Sequence, residues 1–256
     1  LAAGGSEGFV QHHAHKGIRQ RIEELPDEGH GGDDGGVDHG HVDVVAGGKG
    51  VRMGNAVPKQ FLLLNGKPVL QRSSEAFAAF DPTMTCIVVL PETQISYWKD
   101  LCEKYSCNVP HVVVSGGKER FDSVKNGLKA ISAEGFVAVH DGVRPLVTME
   151  MLRDGFETAE KFGSAIPYVD SVDSLRMIDR ETSKTLDRTK IKRIQTPQIF
   201  DVSQLKDVMD VVYRPEFTDE ASVWELAGKK LYFYKGSEQN IKITTPSDLK
   251  IAEALL

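Results

Sequence analysis

A glycine-rich segment flanked by apolar residues and two cations is the first place in this sequence where chemistry is suggested. Three valines lie within residues 42–45, and Ala46, Gly47 and Gly48 follow them directly. Arg52 and Lys59 lie shortly afterwards. Small residues allow the main chain to approach a ligand closely and to point several N–H groups at one anion. Because the two cations can bind the same phosphates, the segment predicts a phosphate-binding loop at the end of a strand.

The spacing of the glycines distinguishes this loop from two common phosphate-binding motifs. The dinucleotide pattern G-x-G-x-x-G fails because Met53 occupies the third glycine position, and the pattern G-x-x-x-x-G-K-[ST] is absent from the sequence. The segment AGGKGVRMG followed by PKQ resembles instead the loop of the sugar-phosphate nucleotidylyltransferases, and more narrowly that of the cytidylyltransferases that activate methylerythritol phosphate. The resemblance implies that the three small residues bind CTP and that Arg52 and Lys59 are catalytic. An ordinary surface turn with two solvated cations is the alternative interpretation.

A second loop, GGKERFDS at residues 116–123, lies between a predicted strand and a predicted helix. The resemblance assigns its GG-x-x-R-x-x-S pattern to recognition of the cytosine and its ribose. Gly117, Arg120 and Ser123 are therefore expected to bind CTP. A helix start with Ser123 in its first turns and Arg120 in solvent is the alternative.

A third loop, HDGVRP at residues 140–145, carries a carboxylate at the end of a predicted strand. Such a carboxylate, followed by a small residue, can hold Mg²⁺ against a triphosphate. Asp141 is therefore the expected metal ligand, and Mg²⁺ is the expected cofactor. The resemblance adds Gly142 and Arg144 to the CTP site, and His140 is interpreted as a structural residue rather than a catalyst.

A further set of residues is expected to contact the acceptor substrate, a polyol phosphate. By the resemblance, Ser171 and Arg188 reach it from the neighbouring subunit, and the residues of the same subunit that contact it are Asp141, Thr196, Thr218 and Lys242. Lys242 lies in the segment NIKIT, which is predicted to be a strand. Residues 170–188 are polar and predict a protruding β-hairpin arm. An arm that reaches into a neighbour's pocket implies a homodimer.

The implied reaction needs no nucleophilic side chain. A phosphomonoester has a second pKa near 6, so the acceptor dianion is already a nucleophile, and no Ser-His-Asp or Cys-His arrangement is suggested. Arg52, Lys59 and Lys242 would act as catalytic cations while the cytidylyl group of CTP moves to 2-C-methyl-D-erythritol 4-phosphate, in the non-mevalonate isoprenoid route. The ribitol-5-phosphate cytidylyltransferases share the nucleotide loops and are the nearest alternative. A non-catalytic nucleotide-binding module is the other, and it predicts that a phosphate-side cation or the metal carboxylate is missing.

Alternating strand and helix patterns predict an α/β fold. A continuous apolar run at residues 86–90 predicts a strand buried on both faces, and residues 112–114 and 136–139 predict two further strands. Apolar residues at helical spacing predict helices between them, the first over residues 69–80. This alternation implies a Rossmann-like, mostly parallel sheet flanked by helices, with ligands at the carboxyl ends of its strands. The three loops are therefore expected to converge, and residues 42–256 are expected to form the cytidylyltransferase domain.

The remaining features concern the environment of the protein. Residues 1–41 are rich in Gly, His and Asp and predict a disordered or foreign leader, for which a metal-binding tail is the alternative. A formal charge of −6 argues against a nucleic-acid partner, and no apolar run approaches the roughly 18 residues of a membrane span. The three cysteines lack metal-ligand spacing. These features predict a soluble, cytoplasmic protein whose partners are small molecules and a second copy of itself.

Overall fold

Short apolar runs form the central strands in this computed structural model, which describes residues 40–45, 57–132 and 134–256. The strands are β1 (His41–Val45), β2 (Leu63–Leu64), β3 (Lys67–Pro68), β4 (Thr85–Leu90), β5 (His111–Ser115), β6 (Phe136–Asp141), β7 (Ser164–Asp170), β8 (Leu175–Asp179), β9 (Thr182–Leu186), β10 (Lys192–Ile194), β11 (Gln198–Asp201) and β12 (Phe233–Lys235). The helices are α1 (Val69–Phe80), α2 (Glu92–Lys104), α3 (Arg120–Lys129), α4 (Met149–Phe162), α5 (Val202–Met209), α6 (Glu220–Leu226) and α7 (Pro246–Leu255), with short 3-10 helices at Lys59–Phe61 and Arg188–Lys190. The described residues fall within one compact unit, Gly36–Leu256.

The centre of the main sheet is parallel, as the alternation of strands and helices predicts. Strands β5, β4, β1 and β6 lie side by side in parallel, and the register pairs Val45 at the end of β1 with Asp141 at the end of β6. Strand β11 runs antiparallel between β6 and β7, and β7 also pairs with β10 in antiparallel and with β12 in parallel orientation. The carboxyl ends of the four central strands therefore lie at one edge, where α/β proteins bind their ligands.

Helices cover both faces of this sheet because its central strands are apolar on both sides. Successive side chains of a strand point to opposite faces. Val88 of β4 packs in one apolar layer with Trp98 and Phe156, whereas Ile87 packs in the other with Leu205. All five side chains are fully buried, and burial of each contributes roughly 1.5–3 kcal/mol. In the described part of the chain no helix has the length and apolarity needed to cross a membrane.

Several elements begin and end where the sequence predicts. Helix α1 occupies the predicted range, residues 69–80. Asn65 and Gly66 connect β2 to β3 with φ angles of 45° and 78°, the left-handed conformations that an Asn-Gly pair favours in a tight hairpin. Helix α7 starts at Pro246, where the Thr245 side chain accepts a hydrogen bond from the Asp248 N–H and caps the first turn.

Two features differ from the sequence-based expectation. Strand β11 was not predicted, since it has four residues and starts with the polar Gln198. The predicted strand at NIKIT is wrong: residues 241–244 lie in no strand. Ile243 is fully buried and its N–H donates to the Val143 carbonyl oxygen at 2.9 Å, so the alternation of buried and exposed residues arises from a loop packed on the chain that follows β6.

The polar stretch after β7 forms the predicted hairpin. Strands β8 and β9 pair only with each other among the described residues, in antiparallel orientation with Leu175 opposite Leu186. Arg180 lies at the turn with a φ of 50°. The hairpin itself is confirmed, and its contribution to a dimer stays a prediction.

Candidate active site

Three cations converge on one carboxylate at the carboxyl edge of the sheet. Asp141, the last residue of β6, lies 2.8 Å from Nζ of Lys242 and 3.4 Å from Nε of Arg144 through Oδ2. Its Oδ1 lies 3.6 Å from Nε of Arg120. The second and third predicted loops therefore meet, and the segment that carries Lys242 joins them. We call these four residues the Asp141 cluster.

The charge state of Asp141 follows from this surrounding. Burial alone would raise the pKa of the carboxyl group, but the Arg120 guanidinium, helped by Lys242 and Arg144, outweighs burial and holds the pKa well below its usual range. Asp141 is therefore an anion at neutral pH. Arg120, Arg144 and Lys242 outnumber the carboxylates that they contact, and such cations suit phosphorylated ligands.

Arg120 has a second anionic partner that the sequence did not suggest. Glu220, the first residue of α6, is buried and accepts a hydrogen bond from Nη1 of Arg120 at 2.5 Å. Burial opposes the charge of the guanidinium, yet Glu220 and Asp141 outweigh it and raise the pKa of Arg120. Burial also raises the pKa of Glu220, with Arg120 acting against it. A glutamate directly after the capping Asp219 looks like a solvated helix-start carboxylate, so only the tertiary packing identifies this partner.

The loop before α3 is closed by Ser123. The hydroxyl group of Ser123 accepts from the Gly117 N–H at 3.0 Å and donates to the Glu119 carbonyl oxygen at 3.0 Å. A Cβ atom at Gly117 would lie 2.2 Å from Cβ of Asp122, so only glycine fits this close approach. Ser123 thus shapes the loop from a buried position, and a contact of Gly117, Arg120 or Ser123 with CTP remains a prediction.

A buried hydrogen-bond chain fixes the start of the third loop. Thr196 Oγ1 accepts from the Asp141 N–H at 3.0 Å and donates to Nδ1 of His140 at 3.2 Å. The other ring nitrogen, Nε2, then donates to the Arg144 carbonyl oxygen at 2.9 Å. Burial lowers the pKa of His140 to about 4, so the imidazole is neutral and serves as a structural connector. Gly142 is held on the other side, since the Ser73 hydroxyl donates to its carbonyl oxygen at 3.3 Å.

The segment that carries Lys242 is held by hydrogen bonds to the third loop and to the residues beside it. Nη1 of Arg144 donates to the Asn240 carbonyl oxygen at 2.7 Å, and Nδ2 of Asn240 donates to the Thr196 carbonyl oxygen at 2.8 Å. Nε2 of Gln195 donates to the Ser237 carbonyl oxygen at 2.8 Å. Asn240 and Gln195 could not be identified from the sequence, because buried amides in loops leave no periodic signal. Together these bonds set the position from which Lys242 reaches Asp141.

Other predicted site residues lie apart from the Asp141 cluster. Ser171 follows β7 directly, and Arg188 donates to the Val172 carbonyl oxygen. Thr218 is exposed just before α6. Within the described residues none of the three is hydrogen-bonded to the Asp141 cluster. Their assignment to a neighbouring subunit's acceptor, or to the same subunit's acceptor for Thr218, stays a prediction.

The first predicted loop is only partly covered by the structure. Ala46, Gly47, Gly48 and Arg52 lie outside the described residues. Lys59 is half-buried in the 3-10 helix Lys59–Phe61, which follows Pro58. The catalytic roles of Arg52 and Lys59 therefore rest on the sequence pattern.

The fold and the Asp141 cluster define a class: an α/β enzyme that handles phosphorylated nucleotides at the carboxyl edge of a parallel sheet. Residues 41–256 match the family IspD, 2-C-methyl-D-erythritol 4-phosphate cytidylyltransferase. The chain belongs to this family, whose members are nucleotidyltransferases of the cytidylyl-transferring kind.

Individual relatives agree with this family assignment. The chain is 50% identical over 216 residues to the 2-C-methyl-D-erythritol 4-phosphate cytidylyltransferase of Phocaeicola vulgatus, covering 84% of this chain and 99% of the relative. It is also 50% identical over 215 residues to the protein of the same name from Bacteroides thetaiotaomicron, covering 84% and 98%. Among solved structures, 4-diphosphocytidyl-2C-methyl-D-erythritol synthase from Anaerococcus prevotii superposes with a TM-score of 0.71 at 26% identity, covering 84% of this chain and 97% of that one. These matches give no support to the ribitol phosphate alternative.

Proposed function

We propose that this chain transfers the cytidylyl group of CTP to 2-C-methyl-D-erythritol 4-phosphate, giving CDP-methylerythritol and pyrophosphate for isoprenoid biosynthesis. Family membership and relatives named for this reaction support the proposal. The observation that carries it is the gathering of Arg120, Arg144 and Lys242 around Asp141 at the ligand-binding edge. A site with this charge suits the meeting of two phosphorylated substrates.

The acceptor provides its own nucleophile in this reaction. With a second pKa near 6, about nine in ten acceptor phosphates are dianions at neutral pH. A dianion oxygen attacks the α-phosphorus of CTP, a new P–O bond forms, and the bond to the oxygen that bridges to the β-phosphorus breaks. Pyrophosphate leaves with that electron pair. No proton has to be removed, so His140, whose ring nitrogens are both hydrogen-bonded within the chain, is not needed as a base.

The main obstacle is electrostatic, because a dianion must approach a triphosphate. We assign Arg52 and Lys59 to the triphosphate and Lys242 to the acceptor, so that fixed cations hold the two in line and neutralise charge that grows on the α-phosphoryl oxygens. Loss of one such preorganised contact typically costs about 3 kcal/mol of transition-state stabilisation. The short contact of Lys242 with Asp141 supports its role, since the carboxylate holds the ammonium group in place before substrates arrive.

Mg²⁺ is the proposed cofactor, with Asp141 as its protein ligand. Mg²⁺ favours carboxylate and phosphate oxygens and usually takes only one or two carboxylates beside substrate phosphates and water. Asp141 fits as a donor because its low pKa keeps it ionised. No group of three His, Cys, Asp or Glu residues in the described ranges could hold a metal ion, and we assign the other ligands to triphosphate oxygens and water. Bound Mg²⁺ would neutralise triphosphate charge, and Lys242 would then exchange its contact with Asp141 for one with a substrate.

A homodimer completes the proposed site. The arm of β8 and β9 exposes apolar side chains, with Met177 55% and Ile178 73% exposed, and Val172 at its base is 68% exposed. A lone two-stranded hairpin is marginally stable in water, and exposed apolar patches mark interaction surfaces. We infer that a second copy of this chain covers the arm and receives Ser171 and Arg188 in its acceptor pocket.

A direct assay tests the reaction and the choice of acceptor. Pyrophosphate release from CTP and Mg²⁺ should be fast with 2-C-methyl-D-erythritol 4-phosphate and near background with ribitol 5-phosphate. Mass spectrometry of the product should show CDP-methylerythritol. Equal or faster turnover of ribitol 5-phosphate would overturn the proposed acceptor, and no release with either would overturn the proposed activity.

A further inference from the structure

The end of α2 brings together two cysteines that the proposed reaction does not use. The Cys107 N–H donates to the Cys102 carbonyl oxygen at 2.9 Å, and Ser106 between them has a left-handed φ of 53°. This arrangement is the Schellman motif, in which the side chains at the two hydrogen-bonded positions commonly contact each other. Here both positions hold cysteine, so the local backbone itself brings the two thiols together.

The two thiols are chemically unequal. Each thiol shifts the pKa of the other, and both are half-buried, whereas Cys86 is buried in β4. The hydrogen bond from Cys102 is the largest influence that lowers the pKa of Cys107, to about 7; burial and Glu75 act against it, while the backbone of Val109 and Lys67 add to it. The same hydrogen bond raises the pKa of Cys102. Near neutral pH Cys107 therefore has substantial thiolate character, and Cys102 retains the proton.

We propose that Cys102 and Cys107 form an oxidation site, at which a hydroperoxide converts the dithiol to a disulfide across the end of α2. The Cys107 thiolate attacks one peroxide oxygen, the O–O bond breaks, and with hydrogen peroxide the leaving hydroxide takes up a proton to become water. Cys102 then attacks the sulfur of the resulting sulfenic acid, the S–S bond forms, and a second water leaves with the Cys102 proton. Two thiols and one hydrogen peroxide thus give one disulfide and two waters. Disulfides need closely spaced backbones, which the 2.9 Å hydrogen bond provides.

The disulfide would form on a helix that supports Lys59. Trp98, one turn before Cys102, is fully buried and stacks on Phe61 with 6.0 Å between ring centroids. Gln94 of the same helix accepts a hydrogen bond from Gln60 at 2.8 Å. Phe61 and Gln60 belong to the 3-10 helix that carries Lys59. A change at the end of α2 is therefore expected to lower turnover, and this second part of the inference rests on the proposed role of Lys59.

Peptide mapping tests the oxidation site without reference to activity. Trypsin cleaves after Lys104, between the cysteines, so a disulfide leaves the peptides 100–104 and 105–118 joined until a reductant separates them. Treatment of the full chain with equimolar hydrogen peroxide should yield this joined pair in wild type and in Cys86→Ser, and not in Cys102→Ser or Cys107→Ser. In the reduced chain iodoacetamide should label Cys107 before Cys86. Absence of the joined pair in folded wild-type protein would overturn the site, as would a disulfide only between two chains on a non-reducing gel.

A second measurement tests the connection to Lys59. Oxidised wild type should turn over CTP several-fold more slowly than reduced wild type, dithiothreitol should restore the rate, and Cys102→Ser should be unaffected by peroxide. A disulfide with unchanged turnover would refute the connection. A reduced enzyme that lacks activity would instead contradict the proposed function, so the two failures are distinguishable.

Discussion

Nη1 of Arg120 lies 2.5 Å from Oε1 of Glu220, and this contact joins the start of α3 to the start of α6. The side chain of Glu220 is only 2% exposed, so the carboxylate of this pair is shielded from water. The second carboxylate oxygen of Glu220, Oε2, has no hydrogen-bond partner among the described residues. Because α6 follows Thr218 and α3 carries Ser123, this ion pair connects the predicted acceptor side to the predicted nucleotide side.

Replacing Glu220 with Gln should therefore impair recognition of CTP. Arg120 would keep its 3.6 Å contact with Asp141, but the uncharged amide oxygen of Gln would replace the carboxylate as the acceptor of its shorter contact, so the guanidinium group would be held less firmly. We expect the KM for CTP to rise about tenfold while kcat changes less, since one charge-assisted hydrogen bond is weakened. The control is Glu216→Gln, because Glu216 lies shortly before α6 and its side chain is exposed. An unchanged KM in a folded Glu220→Gln variant would show that Arg120 needs no second anchor.

Lys242→Ala should separate catalysis from stability. The side chain of Lys242 is 41% exposed, and an ion pair of this exposure contributes about 0–1 kcal/mol to folding, so the melting temperature should barely move. Its proposed role in holding the acceptor predicts a fall in kcat of about a hundredfold. Lys250→Ala on the exposed side of α7 serves as the control. A large loss of thermal stability with a matching loss of activity would indicate a structural role instead.

The neutral state of His140 predicts a dependence of stability on pH. Its pKa is lowered to about 4 in the folded chain, against about 6.5 when unfolded. Between these values the unfolded state binds more protons, so this contribution to stability is present above pH 6.5 and is lost as the pH falls toward 4. From pH 7 to pH 5 this contribution to the free energy of unfolding falls by about 2 kcal/mol. Denaturant unfolding at both pH values should show that the free energy of unfolding falls less in His140→Asn than in wild type. An equal fall in the two proteins would mean that other groups control the pH dependence.

The exchanged arm can be tested by mixing two inactive variants. Arg188→Ala removes a residue that we place in the neighbour's pocket, and Lys242→Ala removes one from the chain's own pocket. If the arms are exchanged, a mixed dimer carries one intact site and one with both defects. Unfolding and refolding an equal mixture should then restore about a quarter of the wild-type rate, since half of the dimers are mixed. Recovery of no activity from a mixture that does form mixed dimers would place both residues in the same subunit's site.

The parts of the site that sequence could predict are those at strand ends. Asp141 ends a strand that begins with a continuous apolar run. A carboxylate in that position lies at the carboxyl edge of a parallel sheet, where ligands bind, whatever the arrangement of the surrounding helices. Arg120 follows a second such run by a few residues. The two residues meet at 3.6 Å at the carboxyl edge, although β1 and β4 lie between β6 and β5 in the sheet. The parallel orientation of the central strands was implied by the alternation of strands and helices, whereas their order comes from the structure.

The parts that sequence could not predict depend on packing between distant segments. Glu220 is buried where the start of α6 meets Arg120 at the start of α3, and nothing in its neighbourhood of the sequence distinguishes it from a solvated carboxylate. Asn240 and Gln195 meet because β12 and β10 both pair with β7. The NIKIT segment looked like a strand because Ile243 enters the core while Lys242 stays outside, and a packed loop produces the same alternation.

Steady-state kinetics of Lys59→Ala, combined with direct titration of CTP, test the central claim that fixed cations catalyse this transfer by neutralising the triphosphate. The control is Lys67→Ala, because Lys67 forms an ion pair with Glu75 at 2.9 Å. We predict that kcat of Lys59→Ala falls by about a hundredfold while the Kd for CTP changes only a few-fold. A raised KM with kcat unchanged would contradict the claim, since Lys59 would then contribute only to binding of the ground state.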